Sequence, residues 1–554
     1  MPPSFRIAAR SVVALACLVL AFAAAANKTV CTITVNSADE KDAFRRALGP
    51  GYNFVELVEH GRPDWLESAC RSGVRCDVLV ISGHYDGGNE FFSDKTEARE
   101  YLPVDEMERA SCSNACPGVF AQLKEVYLFG CNTLNPQANA SPSAEIGRSL
   151  LRAGVPRAEA ERVTRSLAMQ HGESSRDRMR LVFRNVPAIY GFSSVAPLGP
   201  VAASILRRHF DASGTSEVGT GRVSSRLLGQ FSAHALTVTS GVSDTDPLAA
   251  HRRDVCEFAN DRLPPERRID FVHSLFDRQM AEVRMFLPRL ERFAAKLPAE
   301  GVSGAAASEA LDRIAHDDKA RDRFFDFARD ADAPDVRARM IGLAGKLGWL
   351  TPDGERDELV RMFNEHLAAN AVTPTEVDLA CALNKDGDLE ADAARLVVPQ
   401  GQRDRIAQSA LLACLGDTEA RERVVGALTS ASGDDVRFAQ VYLRHRPIDD
   451  AEQIRAITTN IVRMQGGQAQ MQALHALAQH RLSDRDSLDE LVRLYPVAES
   501  AGVQAAIAGI LLRSDFGMIA SPEVLQTLRT RRLRGGSNGD AIDVLIRRMQ
   551  AQAN

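Results

Sequence analysis

Two short apolar runs in this chain each end at a side chain that can take part in covalent chemistry. The run VLVISGHYDGG, residues 78–88, leads to His84, and the run EVYLFGCNTL, residues 125–134, leads to Cys131. A thiolate is a nucleophile, and an imidazole beside it can accept the thiol proton and act as a general base. If the two runs are neighbouring parallel strands, both side chains project into one crevice beyond the carboxyl ends of those strands.

The elements that would position this pair lie between residue 27 and about residue 250. Segments rich in β-branched residues alternate there with segments of helical spacing, as when KTVCTITVNS is followed by ADEKDAFRRAL and KEVYLFGC by SPSAEIGRSLLRAG. Strands that alternate with helices of this length predict a mostly parallel sheet flanked by helices. We therefore expect an α/β domain over residues 27–250.

From residue 251 to residue 554 the strand pattern stops, and an all-α domain is expected. One phrase recurs, an acidic or polar turn followed by a helix patterned V-x-x-A-x-x-x-L. This irregular period of about 30 to 40 residues resembles that of HEAT-type repeats, whose helices bury their apolar faces by stacking. The equivalent positions lie 29 to 41 residues apart, at Val336, Val377, Ile406, Val436, Met471 and Val503.

The first 26 residues have the pattern of a secretory signal peptide. Arg6 and Arg10 precede a short apolar run, and four alanines end at Ala26. The mature protein is therefore expected to be exported, in a bacterial periplasm or secreted, with no stable membrane insertion after cleavage. The net charge of −6 and the isoelectric point near 6.1 give no reason to expect nucleic-acid binding.

The chain has ten cysteines, and nine remain when Cys17 of the signal peptide is removed. An odd number in an oxidising compartment leaves at least one thiol without a partner in the same chain. A free Cys131 would favour an enzyme.

The motifs ISGHYDGG and LFGCNT resemble those of the caspase-like cysteine peptidases, which include bacterial domains of the CHAT type. The histidine follows the third core strand and the cysteine follows the fourth, 47 positions later. The resemblance covers roughly residues 28–245 and implies a caspase-like fold with Cys131 as nucleophile and His84 as general base. It also implies an oxyanion hole formed by the backbone N–H of Cys131 and one near Tyr85, which stands where the family usually has glycine.

The resembled fold also suggests a pairing for two cysteines. Cys31 and Cys76 lie near the starts of the first and third strands, which pair in parallel in that fold. Cys112 and Cys116 could close a small loop, and a zinc site there is disfavoured because no further ligands stand nearby. No partner is assigned to Cys70 or Cys256, nor to Cys381 and Cys414, which are expected to be reduced core residues.

Several polar residues around the dyad are candidates for substrate contacts. Asp86, Glu90 and Asp94 follow the histidine, and one of them could orient the imidazole or line a pocket for a basic side chain. Ser193 and Ser194 follow the fifth strand, where related enzymes shape the substrate pocket.

The sequence thus predicts a caspase-like α/β domain followed by an α-helical, HEAT-like repeat domain. The expected function is that of an exported cysteine endopeptidase, which needs no metal or organic cofactor. Its substrate would be a protein or peptide, and the helical repeats would bind substrate or a protein partner. The alternative is a catalytically inactive envelope protein that keeps the fold as an interaction scaffold, and Tyr85 in place of glycine favours it.

Overall fold

The computed structural model describes residues 27–58, 66–87, 89–94, 100–138, 141–212, 214–297, 304–465, 467–533 and 541–553. The predicted signal peptide, residues 1–26, lies outside the described residues. The chain divides into two compact units at Ala320 and Arg321. Strands occur only in the first unit, as far as the chain is described, and the change to helices near residue 250 is therefore found where the sequence predicts it.

A six-stranded sheet forms the centre of the first unit, in the order β2-β1-β3-β7-β8-β9. The first five of these strands pair in parallel, and β9 is antiparallel to β8. The predicted α/β architecture is thus confirmed at the level of a mostly parallel sheet. The strands are β1 Lys28–Thr34, β2 Tyr52–Val58, β3 Val78–Ser82, β7 Glu125–Phe129, β8 Ala188–Phe192 and β9 Leu236–Thr239.

The continuous apolar run of β3 reflects burial on both faces of the sheet. Leu79 and Ile81 contribute to the core on one face, whereas Val78 and Val80 contribute to the core on the other. A strand covered on both sides has no solvent-facing positions, so its sequence is apolar throughout instead of alternating.

A small second sheet follows β3 directly. It contains the strands β4 His84–Tyr85, β5 Glu90–Phe92 and β6 Tyr101–Pro103, in the antiparallel order β4-β5-β6. The predicted loop after the histidine is therefore in part a β-hairpin, and His84 itself begins its first strand.

Helices cover both faces of the large sheet, and further helices follow up to residue 315. The helix α1, Asp39–Leu48, packs against α8 on the face that also holds Phe44 and Phe210. The other helices of the first unit are α2 Glu67–Arg71, α3 Val104–Cys112, α4 Pro117–Phe120, α5 Pro142–Arg152, α6 Arg157–His171, α7 Ser175–Val182, α8 Gly199–Asp211, α9 Ser225–Gln230, α10 Ala249–Ala259, α11 Pro265–Phe276, α12 Met280–Met285, α13 Leu287–Lys296 and α14 Ala305–Ala315.

Two ion pairs join α12 and α13 to helices of the α/β region. Arg284 pairs with Glu145, and both side chains are buried; Arg289 pairs with Glu108, whose second carboxylate oxygen lies 3.0 Å from the guanidinium. Breaking one member of a buried pair leaves the other charge without compensation, so these contacts hold the helices firmly to the α/β region. The predicted domain boundary at residue 250 thus marks a change of secondary structure within the first compact unit.

The second unit consists of helices and short 3₁₀ turns in the part of it that the structure describes. Helices α16, α18, α21, α23, α25 and α27 contact one another in succession around one continuous core, which supports the predicted helical repeats. Its helices are α15 Asp318–Arg329, which begins just before the unit boundary, α16 Pro334–Lys346, α17 Pro352–Ala368, α18 Pro374–Leu383, α19 Ile406–Cys414, α20 Thr418–Gly426, α21 Gly433–His445, α22 Ala451–Arg463, α23 Gln468–Leu477, α24 Arg485–Leu494, α25 Ala501–Arg513, α26 Pro522–Thr530 and α27 Ala541–Ala553.

Four disulfides link eight of the cysteines. Their Cα–Cα distances of 5.6, 4.6, 5.0 and 4.5 Å fall within the range that disulfide geometry requires. Among the described cysteines, Cys131 is the one that remains free. The pairs are Cys31–Cys76, Cys70–Cys116, Cys112–Cys256 and Cys381–Cys414.

Two expectations about the cysteines are wrong. Cys112 and Cys116 do not pair with each other, because the end of α3 meets α10 and the start of α4 meets α2. Cys381 and Cys414 are not reduced, since the adjacent helices α18 and α19 bring them together inside the core of the second unit.

Of the helices in the described ranges, none is long and apolar enough to cross a membrane. Disulfides in this number are typical of proteins that fold in an oxidising compartment.

Peptide mapping of the unreduced protein tests this arrangement of the cysteines. Iodoacetamide applied to the folded, unreduced chain is expected to modify Cys131 alone among residues 27–554, with the other eight cysteines recovered as the four linked pairs. A Cys112–Cys116 cross-link, or alkylation of Cys381, would contradict the arrangement.

Candidate functional site

The register of β3 and β7 places His84 and Cys131 at equivalent positions. Ser82, the last residue of β3, pairs with Phe129, the last residue of β7, and the Gly83 N–H donates to the Phe129 carbonyl oxygen at 3.1 Å. His84 and Cys131 each follow two residues after the paired positions. Because adjacent strands lie about 4.8 Å apart, both residues belong to the same stretch of the sheet's carboxyl edge.

A glycine allows the two chain segments to approach each other this closely. A Cβ added to Gly130 would lie 2.9 Å from the Gly83 carbonyl oxygen and 3.0 Å from the Tyr85 Cβ. Any side chain at residue 130 would therefore push apart the segments that carry the histidine and the cysteine. The glycine of LFGCNT is thus required by packing against the histidine segment.

The His84 ring is about one-third exposed and contacts residues of its own hairpin. Its centroid lies 5.4 Å from the Phe92 ring, and its Nε2 lies 3.6 Å from the Asp94 carboxylate. Asp94 is itself largely exposed, so this contact is long and screened by solvent. Asp94, one of the three acidic residues that follow the histidine, thus stands beside an imidazole nitrogen.

Cys131 is partly buried, and its sulfur accepts a hydrogen bond from the backbone. The donor is the Ala196 N–H, 3.4 Å from Sγ, in the segment after β8. Within the described chain, the thiol makes no hydrogen bond with His84, and the Cys131 N–H donates to no acceptor. An N–H beside the sulfur stabilises negative charge on it, and the unengaged Cys131 N–H is available to a substrate oxygen.

The turn that presents Cys131 is locked by the two residues after it. Asn132 adopts a left-handed conformation with φ of 59°, which asparagine tolerates better than most residues, and its N–H donates to Ser194 O at 2.8 Å. The fully buried Thr133 hydroxyl donates to Gly130 O at 3.2 Å and accepts from Phe192 N at 3.1 Å. These bonds tie the cysteine turn to the end of β8. The sequence reasoning missed Thr133, although it directly follows the Cys-Asn pair.

The Tyr85 N–H is placed on the free edge of β4. Asp86 N donates to Glu90 O at 3.4 Å, and Tyr85 pairs with Phe91. Because hydrogen-bonded and non-hydrogen-bonded pairs alternate in an antiparallel ladder, Tyr85–Phe91 is a non-hydrogen-bonded pair. Its N–H therefore points away from β5. The Tyr85 ring is buried, which raises the pKa of its phenol to about 12, so the ring stays neutral.

The pocket candidates Asp86, Ser193 and Ser194 have mainly structural contacts. Asp86 Oδ1 accepts from Asn89 N at 2.8 Å and from Glu90 N at 3.2 Å, so this carboxylate holds the hairpin turn. Ser193 N donates to Ala235 O at 3.2 Å, and Ser194 O accepts from the residue after the cysteine. Their segment thus touches the cysteine turn through its backbone.

A buried carboxyl group, Glu40, lies next to Ser82, the last residue of β3, which precedes the histidine segment. It stands in the first turn of α1 and is 3% exposed, and its Oε2 has no hydrogen-bond partner in the described chain. Burial raises the pKa of this carboxyl to about 7, against the opposing hydrogen bonds from its own backbone and from the Ser82 side chain. Ser82 lies two residues before His84. No local sequence pattern indicated this residue, because burial of a first-turn acid depends on tertiary packing.

Comparison of the chain with protein-family models, curated protein sequences and solved structures found no match. The fold and site themselves define a protein with a mostly parallel α/β sheet, a helical C-terminal unit, and a histidine and a free cysteine at one sheet edge. No group of three or more histidine, cysteine or acidic side chains in the described ranges is arranged to hold a metal ion.

Replacement of Thr133 by valine tests the lock on the cysteine turn. The change keeps the side-chain shape but leaves the buried Phe192 N–H and Gly130 carbonyl without their partner, at a cost of about 1–3 kcal/mol in unfolding free energy. Urea unfolding of this variant, with the exposed Thr245→Val as matched control, measures the loss. Equal unfolding free energies for the two variants would mean that the Thr133 hydroxyl does not stabilise the cysteine turn.

Replacement of Glu40 by glutamine tests the buried carboxyl. Because its folded pKa is raised, the unfolded chain ionises first as pH rises, so stability falls between about pH 4.5 and pH 7. A pKa shift from 4.5 to about 7 corresponds to about 3 kcal/mol of unfolding free energy. Glu40→Gln is therefore expected to be more stable than the native chain at pH 8, whereas the exposed Glu159→Gln is expected to change little. A stability-against-pH curve that is unaltered by Glu40→Gln would contradict the assignment.

Proposed function

We propose that this protein is a cysteine peptidase that hydrolyses peptide bonds through Cys131 and His84. The observation that carries the proposal is that the one free cysteine of the described chain stands at the strand-end position equivalent to that of His84. Eight cysteines are held in disulfides, and the ninth, Cys131, is free and only partly buried. Together with the resemblance of ISGHYDGG and LFGCNT to the caspase-like motifs, this favours catalysis.

In the acylation step, His84 takes the thiol proton and the Cys131 sulfur attacks the carbonyl carbon of the scissile bond. The negative oxygen that forms would be held by the backbone N–H of Cys131, which is unengaged, and by that of Tyr85, which lies on the free edge of its strand. The imidazolium then gives its proton to the departing amine as the C–N bond breaks, which leaves a thioester on Cys131.

In the deacylation step, His84 removes a proton from a water molecule that attacks the thioester. The C–S bond breaks, the peptide leaves as a carboxylic acid, and the imidazolium returns its proton to the departing sulfur, which restores the thiol and the neutral histidine. The Asp94 carboxylate lies 3.6 Å from Nε2 of this imidazole. This chemistry draws on no metal or organic cofactor.

We further propose that the protein acts outside the cytoplasm and that its second unit binds the protein substrate or a partner. The signal-peptide pattern of residues 1–26 and the disulfides support export. The stacked helices of residues 334–553 have the form of repeat proteins, which use extended surfaces for binding.

Incubation of the mature protein with a diverse peptide mixture, followed by mass spectrometry, tests the proposal. Cleavage is expected with the native chain and is expected to fall by at least about 10³-fold in both Cys131→Ala and His84→Ala, because each removes one half of the dyad. His475→Ala, which changes an exposed histidine of the second unit, serves as control and is expected to cleave normally.

Identical peptide profiles from the native protein and Cys131→Ala, with both proteins folded, would overturn the proposal. That result would favour the non-catalytic scaffold, for which Tyr85 in place of the family's glycine already provides one argument.

A further inference from the structure

The segment that follows β8 presents large apolar side chains to solvent beside the free thiol. Val195 is 71% exposed, Leu198 is 72% exposed and Val201 is 45% exposed. In the described chain, three of the eleven exposed large apolar side chains therefore fall within seven consecutive residues. Such clustering of apolar side chains at the surface indicates a binding site.

The backbone of this segment is fixed at several points, so the exposure does not come from a loose loop. Ser193 N bonds to Ala235 O at 3.2 Å, Ser194 O accepts from Asn132 N at 2.8 Å, and Ala196 N bonds to the Cys131 sulfur at 3.4 Å. At its end, a Cβ added to Gly199 would collide with the side chains of Ser37 and Asp39. The apolar side chains are therefore held in place on a rigid support.

The surroundings of the segment favour an uncharged ligand. The sequence from residue 185 to residue 206 contains no charged side chain. A charged group that docked on these aliphatic side chains would lose hydration, whereas an aliphatic group would gain from contact. The Asp39 carboxylate beside Gly199 already accepts a hydrogen bond from the Ser37 hydroxyl at 2.7 Å.

Position relative to the thiol identifies which part of a ligand would reach this surface. Ala196, between the two most exposed side chains, donates its N–H to the Cys131 sulfur. A carbonyl carbon attacked by that sulfur lies at bonding distance from it, and an extended peptide advances about 3.3 Å per residue. The side chains within two residues of the reacting carbonyl are therefore those that can contact Val195 and Leu198.

We propose that Val195 and Leu198 form a specificity surface that selects peptides with a large aliphatic side chain next to the reacting carbonyl. This inference rests on the proposed function, since it gives the substrate class of the same site. It differs from the expectation that Asp86, Glu90 or Asp94 lines a pocket for a basic side chain, and a third probe with arginine next to the ketone distinguishes the two.

Electrophilic peptide probes test the surface without requiring peptide-bond hydrolysis. Two tetrapeptide acyloxymethyl ketones are used, identical except for leucine or its isostere asparagine next to the ketone. The thiolate of Cys131 displaces the carboxylate leaving group and forms a thioether, and mass spectrometry of the intact full-length protein gives the rate. Iodoacetamide, which has no side chain, measures the intrinsic reactivity of the thiol in each variant.

The native protein is expected to react at least about tenfold faster with the leucine probe than with the asparagine probe, as apolar contacts of this size discriminate. The double variant Val195→Thr, Leu198→Asn keeps the side-chain shapes, and in it the ratio is expected to approach one with an unchanged iodoacetamide rate. Val223→Thr is the matched control. Val223 is 53% exposed and lies near the amino end of β8, where Gly221 packs against Pro187. The ratio of the two labelling rates in this control variant is expected to equal that of the native protein.

A native ratio near one, a ratio retained in the double variant, or faster reaction with an arginine probe would each overturn the specificity surface. Cleavage of the matching leucine peptide, measured in parallel, reports on the peptidase separately. Selective labelling without cleavage would reject the peptidase activity but support the aliphatic specificity surface. Cleavage without selective labelling would support the peptidase activity but reject the specificity surface.

Discussion

The parallel, in-register pairing of β3 with β7 is the constraint on which the candidate site depends. Ser82 lies opposite Phe129, so the histidine and the cysteine leave the sheet at the same level. The bond from Gly83 N to Phe129 O and the absence of a side chain at Gly130 carry this alignment beyond the strand ends. A register shift of one residue would send one of the two side chains to the other face of the sheet.

Three disulfides cross-link the first unit without involving the thiol at this edge. Cys31–Cys76 links the region of β1 to the start of β3, while the other two pairs of the first unit tie α2, α3, α4 and α10 together. These cross-links join residues 45 to 144 positions apart. A disulfide lowers the conformational entropy of the unfolded chain, and the effect grows with the length of the closed loop. The chain thus holds eight sulfurs in cross-links and keeps Cys131 free.

Local sequence pattern was sufficient to predict the sheet, the helical C-terminal region and the strand-end positions of His84 and Cys131. The apolar run of β3 reflects the burial of that strand, and the turn residues after it reflect the chain reversal at the hairpin. Pairing of Cys112 with Cys256 was beyond prediction, because it depends on how distant helices pack. For the same reason, Glu40 and Thr133 gave no signal, since their burial and hydrogen bonds involve segments far away in the chain.

The most direct measurement is the rate at which iodoacetamide alkylates Cys131 at pH 6 in the native protein and in His84→Ala. A model thiol is almost fully protonated at this pH and reacts slowly. If the imidazole activates the thiol, the native protein reacts at least about tenfold faster than the model thiol, and His84→Ala loses that advantage. Equal rates in the two proteins, both no faster than the model thiol, would contradict the account that His84 and Cys131 act as a catalytic pair.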